Sequence, residues 1–182
     1  LKSASIETDV GLLIKALDLK KDDRVLDIAC GQGRHTNYLA QRGYRADGVD
    51  FSSYLIDLAQ KETLPNGKNN PKYFIGDVEN LDLKEKYTKA FWFFSDFAGI
   101  NLKSAICSIG KYIISGRNLL IDSDNLFRII EYFYKNKKSK YKFDPKTFEL
   151  IDNNSKIHVP YPTYEMWQRM FFKNNFNIIS VL

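Results

Sequence analysis

Apolar residues at Ile6, Val10, Leu13, Ile14 and Leu17 recur at three- and four-residue intervals, so the chain opens on an amphipathic helix. A polar turn over 20–23 leads to Val25, Leu26 and Ile28, a short buried-type strand that ends in Gly31-Gln32-Gly33. Tyr38, Leu39 and Ala40 mark the next helix, with Gly43 where a C-terminal cap belongs. Residues 45–50 read as a second strand, and Ser52 caps a helix carrying Leu55, Ile56, Leu58 and Ala59. Pro-Asn-Gly and Asn-Asn-Pro within 64–71 predict a loop. Residues 73–75 and 90–94 are read as the third and fourth strands. Leu102, Ala105, Ile106, Ile109 and Ile113 predict a further helix with Gly110 inside it and Ser115-Gly116 as its stop, before a fifth strand at 118–121. Strand and helix alternate throughout, which predicts a mostly parallel, doubly wound α/β sheet with helices on both faces.

Beyond Asp122 the alternation breaks. Residues 126–133 read as a helix, 141–150 and 156–159 as a strand pair turning at Asp144-Pro145, and Thr163 caps a last helix that buries Trp167, Met170 and Phe171. Residues 176–182 read as a final strand. The expected organisation is a core over 1–122, an inserted helix and strand pair over 123–162, and a closing helix and strand over 163–182.

Composition narrows the class. An apolar content of 44% over 182 residues supports one buried core with a small appendage. The formal charge of +5 is concentrated at Lys135, Lys137, Lys138, Lys140, Lys142 and Lys146, a run read first as a solvated loop rather than a nucleic-acid surface. Cys30 and Cys107 lack metal-ligand or framework spacing, which fits a reducing, cytoplasmic setting. No apolar run approaches the roughly 20 residues of a membrane span, and the N-terminus lacks a signal-peptide pattern.

The chemistry gathers where strands end. Glycines between a strand and a helix let backbone approach a ligand, and the helix start offers unpaired N–H groups. Three acids share this context: Asp27 near the end of the first strand, Asp50 ending the second, and Asp77 after the third. In a doubly wound sheet these ends meet at one edge, beside the ligand crevice. There Asp50 is suited to both hydroxyls of a ribose, Asp77 to an adenine amino group with the Val78 N–H on a ring nitrogen, and Phe51 to the face of the base. Asp27 would hold loop amides or, through water, a ligand ammonium. A dinucleotide site is the nearest competitor, but Thr36 stands where its third glycine belongs, and an acid ahead of the glycines is foreign to it.

Residues 25–34 resemble motif I of the class I S-adenosylmethionine-dependent methyltransferases. Gly48-Val49-Asp50-Phe51-Ser52 resembles the second motif and Gly76-Asp77-Val78 the third. The end of the chain, from Thr163 to Phe176, is similar to that of small-molecule members. The resemblance implies a Rossmann-like, seven-stranded sheet with one antiparallel strand near its edge. It implies S-adenosyl-L-methionine as cofactor, S-adenosyl-L-homocysteine as product, and cofactor contacts at Asp27, Ala29, Gly31, Gly33, Arg34, Asp50, Phe51, Asp77, Val78 and Phe94. Ala29 replaces the usual first glycine, which fits if the backbone there needs no positive φ. The 97–102 segment is short for the family, and the seventh strand lacks a clear counterpart; either the fold is trimmed or, the preferred expectation, the chain continues beyond Leu182.

Methyl transfer needs alignment of acceptor, methyl and sulfur more than a strong catalytic group. A base matters only where the acceptor arrives protonated; Asp96, His158 and Tyr161 are the candidates, with the catalytic residue itself unassigned. Residues 93–99 lack the Asn/Asp-Pro-Pro-aromatic pattern of nucleobase amino methylation, and neither cysteine falls where cytosine-carbon methyltransferases keep a nucleophile. Asp96, Asp124 and Asn125 are also weighed as a magnesium site, but Asp124-Asn125 is equally a helix cap, and no metal is expected. His35 is read as packing or facing the cofactor carboxylate, and Arg34 as pairing with that carboxylate or solvated. The expected activity is methyl transfer to a small-molecule acceptor, with no membrane partner. The alternatives are an RNA or protein methyltransferase using the 135–142 basic run, and a non-catalytic binding module of the same fold.

Overall fold

A computed structural model describes residues 5–63, 69–94, 97–123, 131–132, 135 and 140–176, with backbone alone at 115–117. Helix α1 (Ile6–Ala16) is capped by Ser5 and leads to strand β1 (Arg24–Ile28). Helix α2 (Arg34–Gln41), strand β2 (Arg45–Asp50), helix α3 (Ser53–Glu62) and strand β3 (Tyr73–Ile75) follow. A 3₁₀ turn (Val78–Asn80) precedes strand β4 (Tyr87–Trp92), helix α4 (Leu102–Gly110) and strand β5 (Ile113–Ile121). Strands β6 (Tyr141–Asp144), β7 (Glu149–Asp152) and β8 (His158–Pro160) come next, and helix α5 (Tyr164–Lys173) closes the described chain.

The main sheet runs β3-β2-β1-β4-β5, and every recorded pairing is parallel. The order reverses between β1 and β4, where a doubly wound sheet opens its ligand crevice. Side chains alternate across the strands, and each parity feeds its own layer. Val25, Ala46 and Phe91 pack with Val10 and Leu13 of α1, Leu17 and Leu39. Leu26, Ile28, Val49, Ala90 and Trp92 pack with Leu102, Ala105, Ile106 and Ile109 of α4 and Met170 of α5. Phe91 is wholly buried, a side chain whose burial is worth roughly 1.5–3 kcal/mol.

Several boundaries differ from the sequence reading. β4 begins at Tyr87 and stops at Trp92, because Phe94 turns the chain with φ 55°. Gly110 ends α4 rather than interrupting it, and Ile113 belongs to β5. Ser115 and Gly116 do not stop a helix; they lie within β5, where an irregularity between Tyr87 and Lys89 absorbs the extra residues of the longer strand. The expected strand pair after residue 140 is three antiparallel strands, ordered β6-β7-β8; the turn expected at Asp144-Pro145 falls at 145–148, and the third strand is the addition. Of the helix expected at 126–133 only Glu131 and Tyr132 are described, both helical, and of the strand at 176–182 only Phe176. No helix among the described residues is long and apolar enough to cross a membrane.

The edge where strands begin is clamped by charge. Asp47, nearly buried, accepts from the Tyr87 hydroxyl at 3.2 Å, from Arg24 at 3.3 Å and from the Lys72 amide at 2.9 Å. Arg24 also pairs with Glu85. One carboxylate thus joins the starts of β1 and β4 to the segment entering β3.

Candidate active site

The opposite edge carries the glycine loop. Ala29, Gly31 and Gly33 have φ of 55°, 56° and 74°, so three left-handed residues fold the chain back between β1 and α2. The first of them corrects the expectation for Ala29: the backbone does need positive φ there, and alanine occupies it at a cost of roughly 1–2 kcal/mol. A Cβ added at Gly31 meets nothing within 4 Å, so the loop faces open space on that side. At Gly48 the space is closed: a Cβ would lie 2.7 Å from Cys30 Sγ and 2.9 Å from the Tyr73 ring. Gly48 therefore lets the loop sit down on β2. Burial pushes the Cys30 thiol up, and Cys30 serves as filler.

Asp50 organises the edge. Its Oδ2 accepts from the Gly31 amide at 2.8 Å and its Oδ1 from the Ser52 amide at 2.9 Å. The loop amide expected of Asp27 is thus held by Asp50. Asp27 instead accepts from the Thr36 hydroxyl at 2.6 Å and is buried. Burial first, and the neighbouring Asp50 charge second, raise the Asp27 carboxyl to about 7 against the Thr36 hydrogen bond. Thr36, weighed in the sequence only as a missing glycine, is therefore the partner of the motif's acid. The signal was available: one turn into α2, it is a polar residue on the helix face turned to the sheet.

Asp77 leaves the sheet at the same edge as Asp50. Asp50 pairs with Ile75 in register, and the Gly76 amide donates to the Asp50 carbonyl at 2.9 Å. Asp77 Oδ1 accepts from the Glu79 amide at 2.9 Å, capping the turn that begins at Val78. The Ser108 hydroxyl, accepting from the Leu81 amide at 2.7 Å, fixes that turn on α4. Large apolar side chains stand uncovered nearby: Phe51 is 79% exposed, Ile75 62% and Phe94 58%. Ile75 was not singled out in the sequence, where it read only as the last strand residue.

Arg34 starts α2 and pairs with Asp9 of α1 at 3.5 Å, its guanidinium 5.7 Å from the Phe94 ring centroid. It is neither simply solvated nor without an anion. His35 is buried against Phe91 and Phe93 and stacks on Phe94 at 5.7 Å; burial, then the Arg34 charge, lower its pKa. His158 and Tyr161 lie in or just after β8, in the second sheet. Asp96, Asp124 and Asn125 lie outside the described residues.

A parallel sheet with a glycine loop and acids at its strand-end edge has the arrangement in which doubly wound α/β domains bind their ligands. Residues 25–109 match the family model described as "Methyltransferase domain". Among curated proteins, the chain is 34% identical over 96 residues to a 23S rRNA (uracil(1939)-C(5))-methyltransferase, RlmD, of Edwardsiella ictaluri, covering 53% of this chain and 21% of that protein. It is 37% identical over 83 residues to the RlmD of an Enterobacter species, covering 46% and 18%. The chain thus spans about a fifth of the length of these relatives. Among solved structures, an S-adenosylmethionine-dependent methyltransferase from Clostridium acetobutylicum superposes with TM-score 0.70 at 15% identity, over 98% of this chain and 83% of that one. The aminopentose methyltransferase CalS10 of Micromonospora echinaspora gives 0.69 at 15%, over 95% and 84%. The magnesium protoporphyrin IX methyltransferase of Synechocystis gives 0.65 at 17%, over 97% and 73%. Residues 25–109 are thus similar to a methyltransferase domain, and the chain shares the fold of S-adenosylmethionine-dependent methyltransferases.

Proposed function

We propose that this domain binds S-adenosylmethionine along the strand-end edge and passes its methyl group to a small-molecule acceptor. The observation that carries the reading is the junction of Asp50 with the glycine loop, beside apolar side chains left open to solvent. The site fits the cofactor. A carboxylate offers about four lone-pair sites, and the Gly31 and Ser52 amides take two of those on Asp50, which leaves capacity for two ribose hydroxyls. Phe51, Ile75 and Val78 supply apolar cover for an adenine, and Asp77 keeps Oδ2 for its amino group. Arg34 answers the terminal carboxylate, with Phe94 beside it. Ala29, Gly31 and Gly33 bring backbone close to the ligand, and Asp27 orders that loop through Thr36. The cofactor supplies a methyl group on a positively charged sulfur that departs as a neutral thioether. The chain's own task is then alignment and exclusion of water, and positioning of this kind supplies about 7–11 kcal/mol of barrier lowering.

The acceptor class rests on the second sheet and the cysteines. Lys140 pairs with Asp152 at 3.1 Å and Lys135 with Glu131 at 2.5 Å, so two lysines of the basic run are neutralised within the chain. That weakens it as a phosphate-binding surface. Cys30 is buried and held protonated, and Cys107 lies five residues into α4, about 7–8 Å along its axis from the first residue. Neither suits covalent attack on a pyrimidine ring. The RNA reading keeps one point in its favour, the rRNA specificity carried in the name of the relatives.

Calorimetry with S-adenosylhomocysteine tests the reading. A one-to-one complex is expected, abolished in Asp50→Ala and weakened about 10- to 150-fold in Asp77→Ala, since a hydrogen bond to a charged group is worth about 1.5–3 kcal/mol. No heat and no thermal shift with the unmodified protein would favour the non-catalytic module. Labelled cofactor incubated with an extract divided into small-molecule, RNA and protein fractions should mark the first; label in the RNA or protein fraction would overturn the acceptor class.

A further inference from the structure

The second sheet carries a histidine–carboxylate pair with no part in the cofactor site. Glu149 on β7 and His158 on β8 share one face, because Ile151 pairs with His158 and Glu149 with Pro160. Glu149 Oε2 lies 2.8 Å from His158 Nδ1. A carboxylate there fixes the tautomer: Nδ1–H donates to Glu149, and Nε2 is left with a lone pair. His158 is half exposed, so that lone pair is accessible.

The position of β8 gives the pair its meaning. The Gly99 amide donates to the His158 carbonyl at 2.7 Å, which pins β8 to the loop leaving β4. That loop is held at its start by Phe97, buried and edge-on to Trp92 of β4 at 5.0 Å and to Trp167 of α5 at 5.9 Å. At its end, the Asn101 amide donates to Glu79 at 2.9 Å, in the turn that follows Asp77. Gly99 has φ 72°, and a Cβ there would meet nothing within 4 Å. The imidazole is therefore carried by a strand fixed to the strand-end edge of β4, beside open space.

We infer that His158, oriented by Glu149, is the general base of the methyl transfer, and that the acceptor is a molecule whose nucleophilic atom arrives carrying a proton. The inference rests on the cofactor reading above. His158 Nε2 takes the proton from the acceptor's O–H, S–H or N–H. The lone pair so freed forms the bond to the methyl carbon, and the carbon–sulfur pair goes to sulfur. The imidazolium is stabilised by Glu149, and the proton then leaves to solvent. Glu149 is the positioning residue. Lys142 and Asp144 of β6 share the outer face with the pair and set its background charge.

The test uses the chain's two histidines, whose ring signals are separable by nuclear magnetic resonance, with buried His35 as reference. S-adenosylmethionine carries a sulfonium charge that S-adenosylhomocysteine lacks. A base facing the methyl group should titrate about one pH unit lower in the first complex than in the second. In Glu149→Ala, which removes the acceptor, the ring nitrogen shifts should lose their preference for Nδ1–H; an unchanged tautomer removes Glu149 from the inference. If S-adenosylhomocysteine moves the Gly31 and Phe51 amides but His158 titrates identically in both complexes, the base assignment is overturned and the cofactor reading stands. If neither ligand changes any signal, the cofactor reading falls and takes the base with it.

Discussion

Replacing Asp27 by Asn isolates the energetic cost of the motif's acid. The carboxyl is raised from its usual 3.8 to about 7, by burial and then by the charge of Asp50. Between those values the folded protein holds a proton that the unfolded chain has released, so stability falls as pH rises across this window. Below it the group costs nothing, and above about 7 the full penalty applies. A shift of about 3 units at 1.36 kcal/mol each amounts to about 4 kcal/mol. Asn keeps a carbonyl oxygen to accept from the Thr36 hydroxyl at the same place but carries no charge. Urea unfolding at about pH 4, 6 and 8 should therefore show the variant equal to the parent at the first, and more stable by about 2–4 kcal/mol at the last. A difference that does not change with pH, or a variant less stable at pH 8, would refute the reasoning.

Two substitutions test the backbone of the loop. Ala29→Gly removes a left-handed penalty of about 1–2 kcal/mol while adding about 0.4–1 kcal/mol of unfolded-state entropy. A net gain of about 0.5–1 kcal/mol is expected, or about 1–4 °C in Tm by scanning calorimetry, with the affinity for S-adenosylhomocysteine unchanged. Gly48→Ala drives a methyl to 2.7 Å from Cys30 Sγ and 2.9 Å from Tyr73, and should cost about 1–3 kcal/mol in urea unfolding. Cys30→Ala in the same chain should recover part of that loss.

The elements that were legible in the sequence carry their own stops. β2 and β3 end at Asp50 and Ile75 as read, α3 and α5 begin after Ser52 and Thr163, and Gly43, with φ 83°, follows the end of α2. Each boundary coincides with a residue whose local chemistry sets it. The bounds of β4 are masked in the sequence because Lys89, buried in mid-strand, interrupts the apolar run, while Phe93 and Phe94 prolong that run past the turn. β5 was shortened because Ser115-Gly116 has the composition of a turn, and only the long-range pairing with β4 holds it in the sheet. At the site, the acids and glycines showed through their spacing. Which carboxylate takes which amide did not, since the exchange between Asp27 and Asp50 is decided by how closely β2 lies to the loop. The Glu149–His158 pair is invisible for the same reason: it depends on the register of β7 against β8, which no local residue sets.

The carboxylate of Asp47 stands at the far margin from Asp50, and the contrast between the two ends divides the labour of the sheet. Tyr87, Arg24 and the backbone of Lys72 fasten three strands at their origins, at the end opposite the glycine loop. Because this clamp shares no residue with the glycine loop, substitutions in the loops at the strand ends leave it intact, so changes there should cost the sheet little of its stability.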